Sequence, residues 1–309
     1  MSPWLRVFDS VTRCDVVGIG ENSVDLVYRV TQFAAAGQKV RATGCRRLLG
    51  GQVATTLCTC AALGLRTRYV GTFGSDDHGR LIRSELEQRG VDTSHAHVRY
   101  APNRHAVILV DDHTGERTVV WQRDSSLALR PDDLAHEAMT GARVLHVDNV
   151  DEETAIAAAR LGREAGMIVT TDIDQVTERT AELVAAATFP VLAERVPQAL
   201  TGERDTPTAL RVLRQRHEGM LCVTLGPRGA MLMVGKELHE APAFEVAAID
   251  TTGAGDVFRG ALIYSLLRGD RPDVMLRFAN AAAALSCTRE GAIGGIPGLQ
   301  EIEQLLTRT

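Results

Sequence analysis

The sequence lacks the features that mark nucleic-acid-binding and membrane proteins. Aromatic residues make up only 4% of the chain, too few to supply stacking platforms for single-stranded nucleic acid. The net charge of −5 provides no basic surface for a phosphate backbone. The longest apolar runs are too short to cross a bilayer, and residues 1–13 lack the apolar core of a signal peptide. We therefore predict a cytoplasmic protein that has neither nucleic acid nor a membrane as a partner.

Zinc sites and the two common nucleotide motifs are also missing. The six cysteines are scattered, and Cys58-x-Cys60 does not have zinc-site spacing, which favours buried free thiols in a reducing compartment. No Gly-x4-Gly-Lys-Ser/Thr loop occurs in the chain. Gly253-x-Gly255 is followed by Phe258, where a dinucleotide fingerprint would need a third glycine. A nucleotide would therefore have to be bound by a different motif.

The most distinctive stretch that is present covers residues 250–258 and reads Asp-Thr-Thr-Gly-Ala-Gly-Asp-Val-Phe. The preceding residues 244–249 are largely apolar and partly β-branched, which predicts the end of a strand. Residues 257–267 carry apolar side chains at helical spacing, and Gly269 follows as a stop signal. The stretch therefore predicts a turn that leads into a helix N-terminus.

Small residues at this helix N-terminus indicate an anion site. The backbone amides of Gly253, Ala254 and Gly255 can approach a phosphate closely, and the helix dipole favours negative charge there. Phosphate repels the carboxylate of Asp256, so that residue needs another role. Taking a proton from a hydroxyl that attacks the phosphate is one such role. The simpler alternative is that Asp256 only caps the helix.

The rest of the chain predicts an α/β protein with an added small sheet. From Pro131 onward strands and helices alternate, which is typical of a mostly parallel sheet with helices on both faces. Asp172 and Asp174 follow one of these strands. They could meet a metal-phosphate group or cap the next turn, and we interpret them as caps. The earlier segments 22–50 and 100–123 contain short strands and a hairpin instead. The exposed hairpin could also support a homodimer.

These motifs resemble those of the PfkB family of ribokinase-like carbohydrate kinases. The resemblance rests on residues 250–258, on Gly50-Gly51-Gln52, on the turn 224–230 and on Leu200-Thr201-Gly202. It implies a ribokinase-like α/β fold in a single domain over residues 1–309, with a β-sheet lid formed by segments 22–50 and 100–123. The implied reaction is ATP-dependent phosphorylation of a hydroxyl on a sugar or a sugar-like substrate.

The resemblance also implies roles for particular residues. Asp256 would be the catalytic base, assisted by the amides of Gly253, Ala254 and Gly255. The implied sugar-binding residues are Asp25, Gly51, Gln52 and Asp256. The implied nucleotide-binding residues are Thr224, Gly226, Gly229, Asn280 and Ala283. Glu194 would help to hold Mg²⁺ through water, and a monovalent cation, usually K⁺, would lie among Asp250, Thr252, Cys287 and Glu290.

Several positions depart from the family pattern and leave the acceptor open. Gln52 and Thr55 stand where the family has two asparagines, while Ala193 and Val196 replace an asparagine and a glutamate of the metal segment. A nucleoside, fructose 6-phosphate or sulfofructose are alternative acceptors. An anionic acceptor would need cationic side chains, for which the candidates are Arg104, Arg123 and Arg259. A non-catalytic sugar or nucleotide sensor and an ADP-dependent kinase are further alternatives.

Overall fold

The computed structural model describes residues 14–308. Within this range the strands are β1 (Val16–Ile19), β2 (Ser23–Val30), β3 (Ala42–Gly50), β4 (Thr67–Val70), β5 (Thr72–Gly74), β6 (Val91–Asp92), β7 (His97–Arg99), β8 (His105–Asp111), β9 (Arg117–Gln122), β10 (Val144–Asp148), β11 (Ile168–Asp172), β12 (Val191–Ala193), β13 (Leu221–Thr224), β14 (Ala230–Val234) and β15 (Glu237–Ala241). The helices are α1 (Gln52–Ala62), α2 (Asp77–Gln88), α3 (His136–Met139), α4 (Glu152–Glu164), α5 (Thr180–Ala186), α6 (Val196–Thr201), α7 (Thr206–Arg214), α8 (Ala254–Arg268), α9 (Pro272–Ser286) and α10 (Leu299–Arg308). None of these helices is long and apolar enough to span a membrane.

The central sheet is mostly parallel, as the sequence predicts. Five parallel strands lie in the order β11-β10-β1-β4-β6. A second group has the order β12-β13-β14-β15, in which β12 and β13 are parallel and the last two strands run antiparallel. Two isolated bridges, Thr170 to Phe189 and Ile173 to Leu192, connect the groups. The carboxyl ends of the parallel strands therefore share one edge, where ligands collect in such sheets.

Helices cover both faces of the sheet, so that neighbouring strand residues enter different cores. Val16 packs in one core with Leu57 of α1 and Leu262 of α8. The next residue, Val17, packs in the opposite core with Ile156 of α4. Burial on both faces explains why the central strands are buried along almost their whole length and show no alternation of buried and exposed residues.

The segments 22–50 and 100–123 form a separate four-stranded sheet, here called the lid sheet. Its strand order is β3-β2-β8-β9, with β2 and β8 parallel and the outer pairs antiparallel. The outermost strand β9 is exposed along its whole length and includes Val120 and Trp121. The hairpin predicted from the sequence is the β8–β9 pair.

One prediction near the anion turn is wrong, because residues 244–249 do not form a strand. Strand β15 ends at Ala241 and is followed by Pro242, which has no amide hydrogen for a sheet ladder. The amides of Ile249 and Asp250 instead donate to the carbonyl of Cys287, at 2.7 and 3.2 Å. The approach to the turn is thus a loop that is held by the end of α9.

The cysteines in residues 14–308 are free thiols, and four of the six are buried. Burial raises the pKa of Cys58 and of Cys222 to about 12 each. Such thiols stay protonated and unreactive at neutral pH, which agrees with the expected structural role. Cys45 is exposed and Cys287 is half-buried, so the prediction of buried thiols does not extend to these two.

Candidate active site

The predicted anion turn is built by Gly253 at the start of α8. Gly253 has a left-handed φ of +77°, and a Cβ at this position would lie 2.4 Å from the Cβ of Ala292. Only glycine meets both conditions without strain. Of the three predicted amides, that of Ala254 donates to the Thr251 carbonyl at 3.3 Å. The amides that open a helix have no acceptor within it, so those of Gly255 and Asp256 are available to an anion. The same glycine geometry thus creates the turn and leaves its amides accessible.

Helix α1 fixes the position of α8 and of Asp256. The Thr56 hydroxyl donates a hydrogen bond to the carbonyl of Asp256 at 3.2 Å. A Cβ on Gly260 would lie only 2.6 Å from the Cβ of Thr59, so the two helices approach closely at that point. Because α1 begins at Gln52, the helix that supports the proposed base also carries a predicted sugar contact.

A cavity of about 620 Å³, here called the acceptor cavity, opens beside the turn. All four predicted sugar-binding residues line it: Asp25, Gly51, Gln52 and Asp256. Its volume lies in the range of pockets that hold small molecules. The parallel sheet brings these residues together because each follows or faces the carboxyl edge of the strands.

Gly51 makes the close approach between the lid sheet and α1 possible. Its φ is +100°, and a Cβ would lie 2.4 Å from the Cα of Asn22. The chain therefore turns directly from β3 into α1, and Gln52 begins the helix at the cavity wall. This geometry explains the second glycine of the Gly50-Gly51 pair.

The two arginines that line the acceptor cavity pair with carboxylates in the cavity or beside it. Arg104 lies 3.3 Å from both Asp25 and Glu21, and its guanidinium lies over the ring of Trp121 at 5.9 Å. Arg123 lies 2.6 Å from Asp151. Burial raises the pKa of Asp25, whereas the charge of Arg104 opposes that shift. Each cavity arginine is therefore matched by at least one carboxylate.

Arg259, the third arginine named as a candidate anion contact, lies outside the cavity and away from solvent. Its side chain is 5% exposed, and its Nη2 lies 2.6 Å from Oδ1 of Asp172, which is 1% exposed. Asp172 ends β11 and does not cap the following turn, so our interpretation of that residue as a cap is wrong. The residues that follow Arg259 in α8 are largely apolar, which signals a buried arginine that needs a partner but does not identify Asp172 as that partner.

The surroundings of Asp256 favour its neutral form. Burial raises its pKa well above the ordinary value, and the nearby carboxylates of Asp172 and Asp174 raise it further, whereas Arg259 lowers it. Burial likewise raises the pKa of Asp172, with Arg259 again opposing. A carboxyl that titrates nearer to neutral pH can exchange a proton with a substrate hydroxyl.

The predicted nucleotide residues lie along β13 and α9. Thr224 ends β13, and the amide of Leu225 donates to the carbonyl of Gly229 at 2.8 Å, which closes the turn between them. Asn280 is buried, and its Nδ2 donates to the carbonyls of Ala241 and Pro242 at 2.9 and 3.0 Å. The side-chain amide of Asn280 thus connects α9 to the end of β15 and to Pro242.

The residues expected to enclose a monovalent cation are partly brought together. The Asp250 carboxylate accepts hydrogen bonds from the amides of Thr252 and Gly291, at 2.9 and 2.8 Å. The Cys287 carbonyl accepts the two amides described above, so these three residues join one loop cluster. Glu290 instead faces the lid sheet, where it lies 3.2 Å from Arg46.

The segment after β12 that would help to hold Mg²⁺, residues 193–196, retains one carboxylate. Glu194 forms an ion pair with Arg228 of the nucleotide turn. Val196, at the second acidic position of the family pattern, is buried in the core. One carboxylate together with phosphates and water is a donor set that Mg²⁺ accepts. The segment therefore fits a metal that is held mainly by the nucleotide.

Nearly the whole chain matches one protein family. The matching model, described as pfkB family carbohydrate kinase, covers residues 13–298. The chain belongs to the PfkB family of carbohydrate kinases. The match confirms the predicted family and enzyme class.

The relatives of this PfkB-family chain include several sugar kinases. A ribokinase of Bacillus subtilis (strain 168) is 27% identical over 300 residues, covering 94% of this chain and 98% of that protein. An ATP-dependent ribose-1-phosphate kinase of Halopiger xanaduensis is 29% identical, covering 90% of this chain and 93% of that protein. The structure of Arabidopsis thaliana ribokinase complexed with ribose and ATP has a TM-score of 0.82 at 25% identity, covering 95% and 98% of the two chains. The predicted ribokinase-like fold is confirmed.

Proposed function

We propose that this kinase transfers the γ-phosphoryl group of ATP to a hydroxyl of an uncharged sugar or sugar-like alcohol, with Asp256 as the general base. One observation carries the proposal. Asp256 belongs both to the first turn of α8, where the anion-binding amides lie, and to the wall of the acceptor cavity. A carboxylate at that junction can meet the attacking hydroxyl and the phosphate at the same time.

In the proposed reaction, the residues of the chain orient the acceptor and move its proton. Asp25 and Gln52 hydrogen-bond sugar hydroxyls, while Asp256 takes the proton of the attacking hydroxyl. The hydroxyl oxygen forms a bond to the γ-phosphorus as the bond to the bridging oxygen of ADP breaks. The amides at the start of α8 stabilise the charge on the transferring group. Mg²⁺, when bound with ATP, would neutralise phosphate charge, and Glu194 is the carboxylate that would hold it through water.

Closure of the lid sheet would exclude water from this reaction. Arg117 on β9 donates a hydrogen bond from Nη1 to the Thr252 hydroxyl at 3.2 Å, so the lid sheet reaches the anion turn. Excluding water suppresses hydrolysis of ATP in the absence of an acceptor.

The exposed Val120 and Trp121 on the same strand suit a homodimer contact, which light scattering of a Val120→Asp variant would test.

The charge balance of the cavity favours an uncharged acceptor over a phosphorylated or sulfonated one. Arg104 faces Glu21 and Asp25, and Arg123 faces Asp151, so an incoming anion would have to compete with carboxylates already in place. An uncharged polyol can accept and donate hydrogen bonds within this network without displacing a charge.

An assay of the released nucleotide, ADP from ATP or AMP from ADP, over a panel of acceptors tests the proposal. The panel pairs ribose and fructose with ribose 1-phosphate, fructose 6-phosphate and adenosine, and it compares ATP with ADP as the donor. We expect the highest kcat/KM with ATP and an uncharged sugar. Preference for a phosphorylated acceptor would overturn the acceptor class. Binding of sugar and ATP without turnover would identify a sensor instead.

A further inference from the structure

A buried ion pair lies directly behind the anion turn. Arg259 and Asp172 are both nearly inaccessible to solvent, and their closest atoms are 2.6 Å apart. The described residues give Arg259 no other ion pair. Replacing such a pair by apolar residues often leaves a protein no less stable, so stability alone is a weak reason for its presence.

The pair connects to the proposed base from two directions. After burial, the charge of the Asp172 carboxylate contributes most to raising the pKa of Asp256, so these two carboxyls influence each other directly. On the other side, a Cβ on Gly255 would lie 2.7 Å from Nη1 of Arg259, so the guanidinium lies immediately against the turn. Gly255 therefore leaves room for the arginine as well as for an anion.

Among the ionisable groups named as influences on the pKa values of Asp256 and Asp172, Arg259 is the one that carries a positive charge. The other ionisable groups facing the pair from the packed elements are His146 and Asp148 of β10, Asp174 after β11, Cys222 of β13 and Asp256 of α8. Burial lowers the pKa of His146 to about 3, so this histidine is neutral at physiological pH. The Cys222 thiol is neutral as well.

We propose that Asp172 and Arg259 are positioning residues for Asp256: Asp172 holds the Arg259 guanidinium behind the anion turn, where its positive charge stabilises the ionised carboxylate of Asp256. Arg259 offsets the repulsion between neighbouring carboxylates, and the ion pair with Asp172 holds the guanidinium in place. The inference rests on the proposed role of Asp256 as the base. Neither residue touches the acceptor itself.

The test compares the pH dependence of kcat/KM for the acceptor among single and double variants. Arg259→Met removes the positive charge, so the base stays protonated to a higher pH, and the acid limb should move upward by about one pH unit or more. Asp172→Asn removes a like charge, so the acid limb should move downward. The double variant should lie between them. The two carboxyls titrate as a pair, so each limb reports the pair.

Control variants separate this role from general packing. Arg259→Lys keeps the charge, and its acid limb should stay near that of the wild type even if kcat falls. Arg68→Met removes another partly buried arginine, which pairs with Asp92 at 2.8 Å. Arg68 lies near the amino end of β4, away from the carboxyl edge where the anion turn lies, so this variant should leave the pH profile unchanged. Thermal unfolding and ATP binding by calorimetry report whether each variant is folded.

Acid limbs that coincide with the wild type in folded Arg259→Met or Asp172→Asn protein would overturn the inference. If Arg259→Met does not fold, Asp172→Asn alone tests the inference. An acid limb that stays in place or moves upward in that variant overturns the inference. Failure of the proposed function looks different. In that case Asp256→Asn itself would retain turnover, whatever the profiles of the other variants.

Discussion

On the acceptor side of Asp256 the charged side chains are enclosed, whereas on the nucleotide side they stand in solvent. Arg104 and Glu21 have side chains that are 20% and 12% exposed, and they meet inside the acceptor cavity. Arg228 and Glu194 are 61% and 46% exposed at the nucleotide turn. Buried charge pairs depend strongly on their partners, while exposed pairs contribute little. We therefore expect acceptor selection to be sensitive to single substitutions and nucleotide binding to be tolerant of them.

The largest effect should come from Asp256, which lies between the two sides. Asp256→Asn should lower kcat by about 10²- to 10⁴-fold, because general base catalysis typically contributes that much. ATP binding, measured by calorimetry, should be retained. Asp273→Asn, which changes an exposed carboxylate paired with Arg271, serves as the matched control and should keep wild-type kcat. A kcat within a few-fold of wild type in Asp256→Asn would refute the base assignment.

The next largest effect should come from a single substitution on the enclosed acceptor side. Arg104→Met leaves the Asp25 and Glu21 carboxylates without their shared cation, so the pKa of Asp25 should rise further. We expect the KM for the sugar to rise roughly ten- to hundred-fold, the range for lost hydrogen bonds to charged groups. Steady-state kinetics should show little change in the KM for ATP.

The control for Arg104 is Arg29→Met, which removes a lid-sheet arginine that pairs with Asp112 at 2.6 Å and does not line the acceptor cavity. That variant should retain the KM of the wild type for the sugar. Equal effects of the two substitutions would mean that the lid sheet, and not the enclosed charge network, determines sugar binding.

The open nucleotide side should respond weakly to the same kind of substitution. Arg228→Ala should change the KM for ATP by about two- to five-fold, since exposed ion pairs are worth at most about 1 kcal/mol. Titrations of ATP at fixed Mg²⁺ provide the measurement. Arg160→Ala, which breaks an exposed pair with Glu182 at 2.7 Å, controls for a general effect on the surface. A hundred-fold loss in Arg228→Ala would abolish the contrast between the two sides.

The smallest effect should be the response to monovalent cations. The loops that contain Asp250 and Cys287 are joined by backbone amides that donate to the Asp250 carboxylate and to the Cys287 carbonyl. A cation among them would therefore adjust the anion turn more than it would assemble it. We expect initial rates in K⁺ to exceed those in tetramethylammonium, with a smaller ratio than the Arg104→Met effect. Identical rates in both salts would argue against a cation site there.

Much of the site could be predicted because its chemistry is local. Gly253 and Gly51 occupy backbone conformations that require glycine, and the short motifs around them carry that requirement in the sequence. The alternation of strands and helices then places every strand end on one edge. The expectation that Asp25, Gln52 and Asp256 share one site came from the resemblance to the PfkB family, whose motifs these residues match.

Other features could not be predicted because they depend on distant partners. Residues 244–249 have strand-like composition, yet a strand needs a neighbouring edge, and the Cys287 carbonyl takes their last amides instead. The burial of Asn280 depends on where the loop after β15 passes. The direction of Glu290 depends on Arg46 of the lid sheet. None of these contacts leaves a periodic or local pattern in the sequence.

The sequence by itself determined the α/β fold, the anion turn and the presence of a carboxylate at its helix start, since backbone geometry and side-chain spacing are local properties. Only the tertiary structure decided the charge environment of that carboxylate. Arg259 follows Asp256 closely along the chain, but its ion-pair partner Asp172 belongs to a distant strand. Electrostatic interactions depend on distance and burial in the folded protein, and the fold alone brings those two charges together behind the turn.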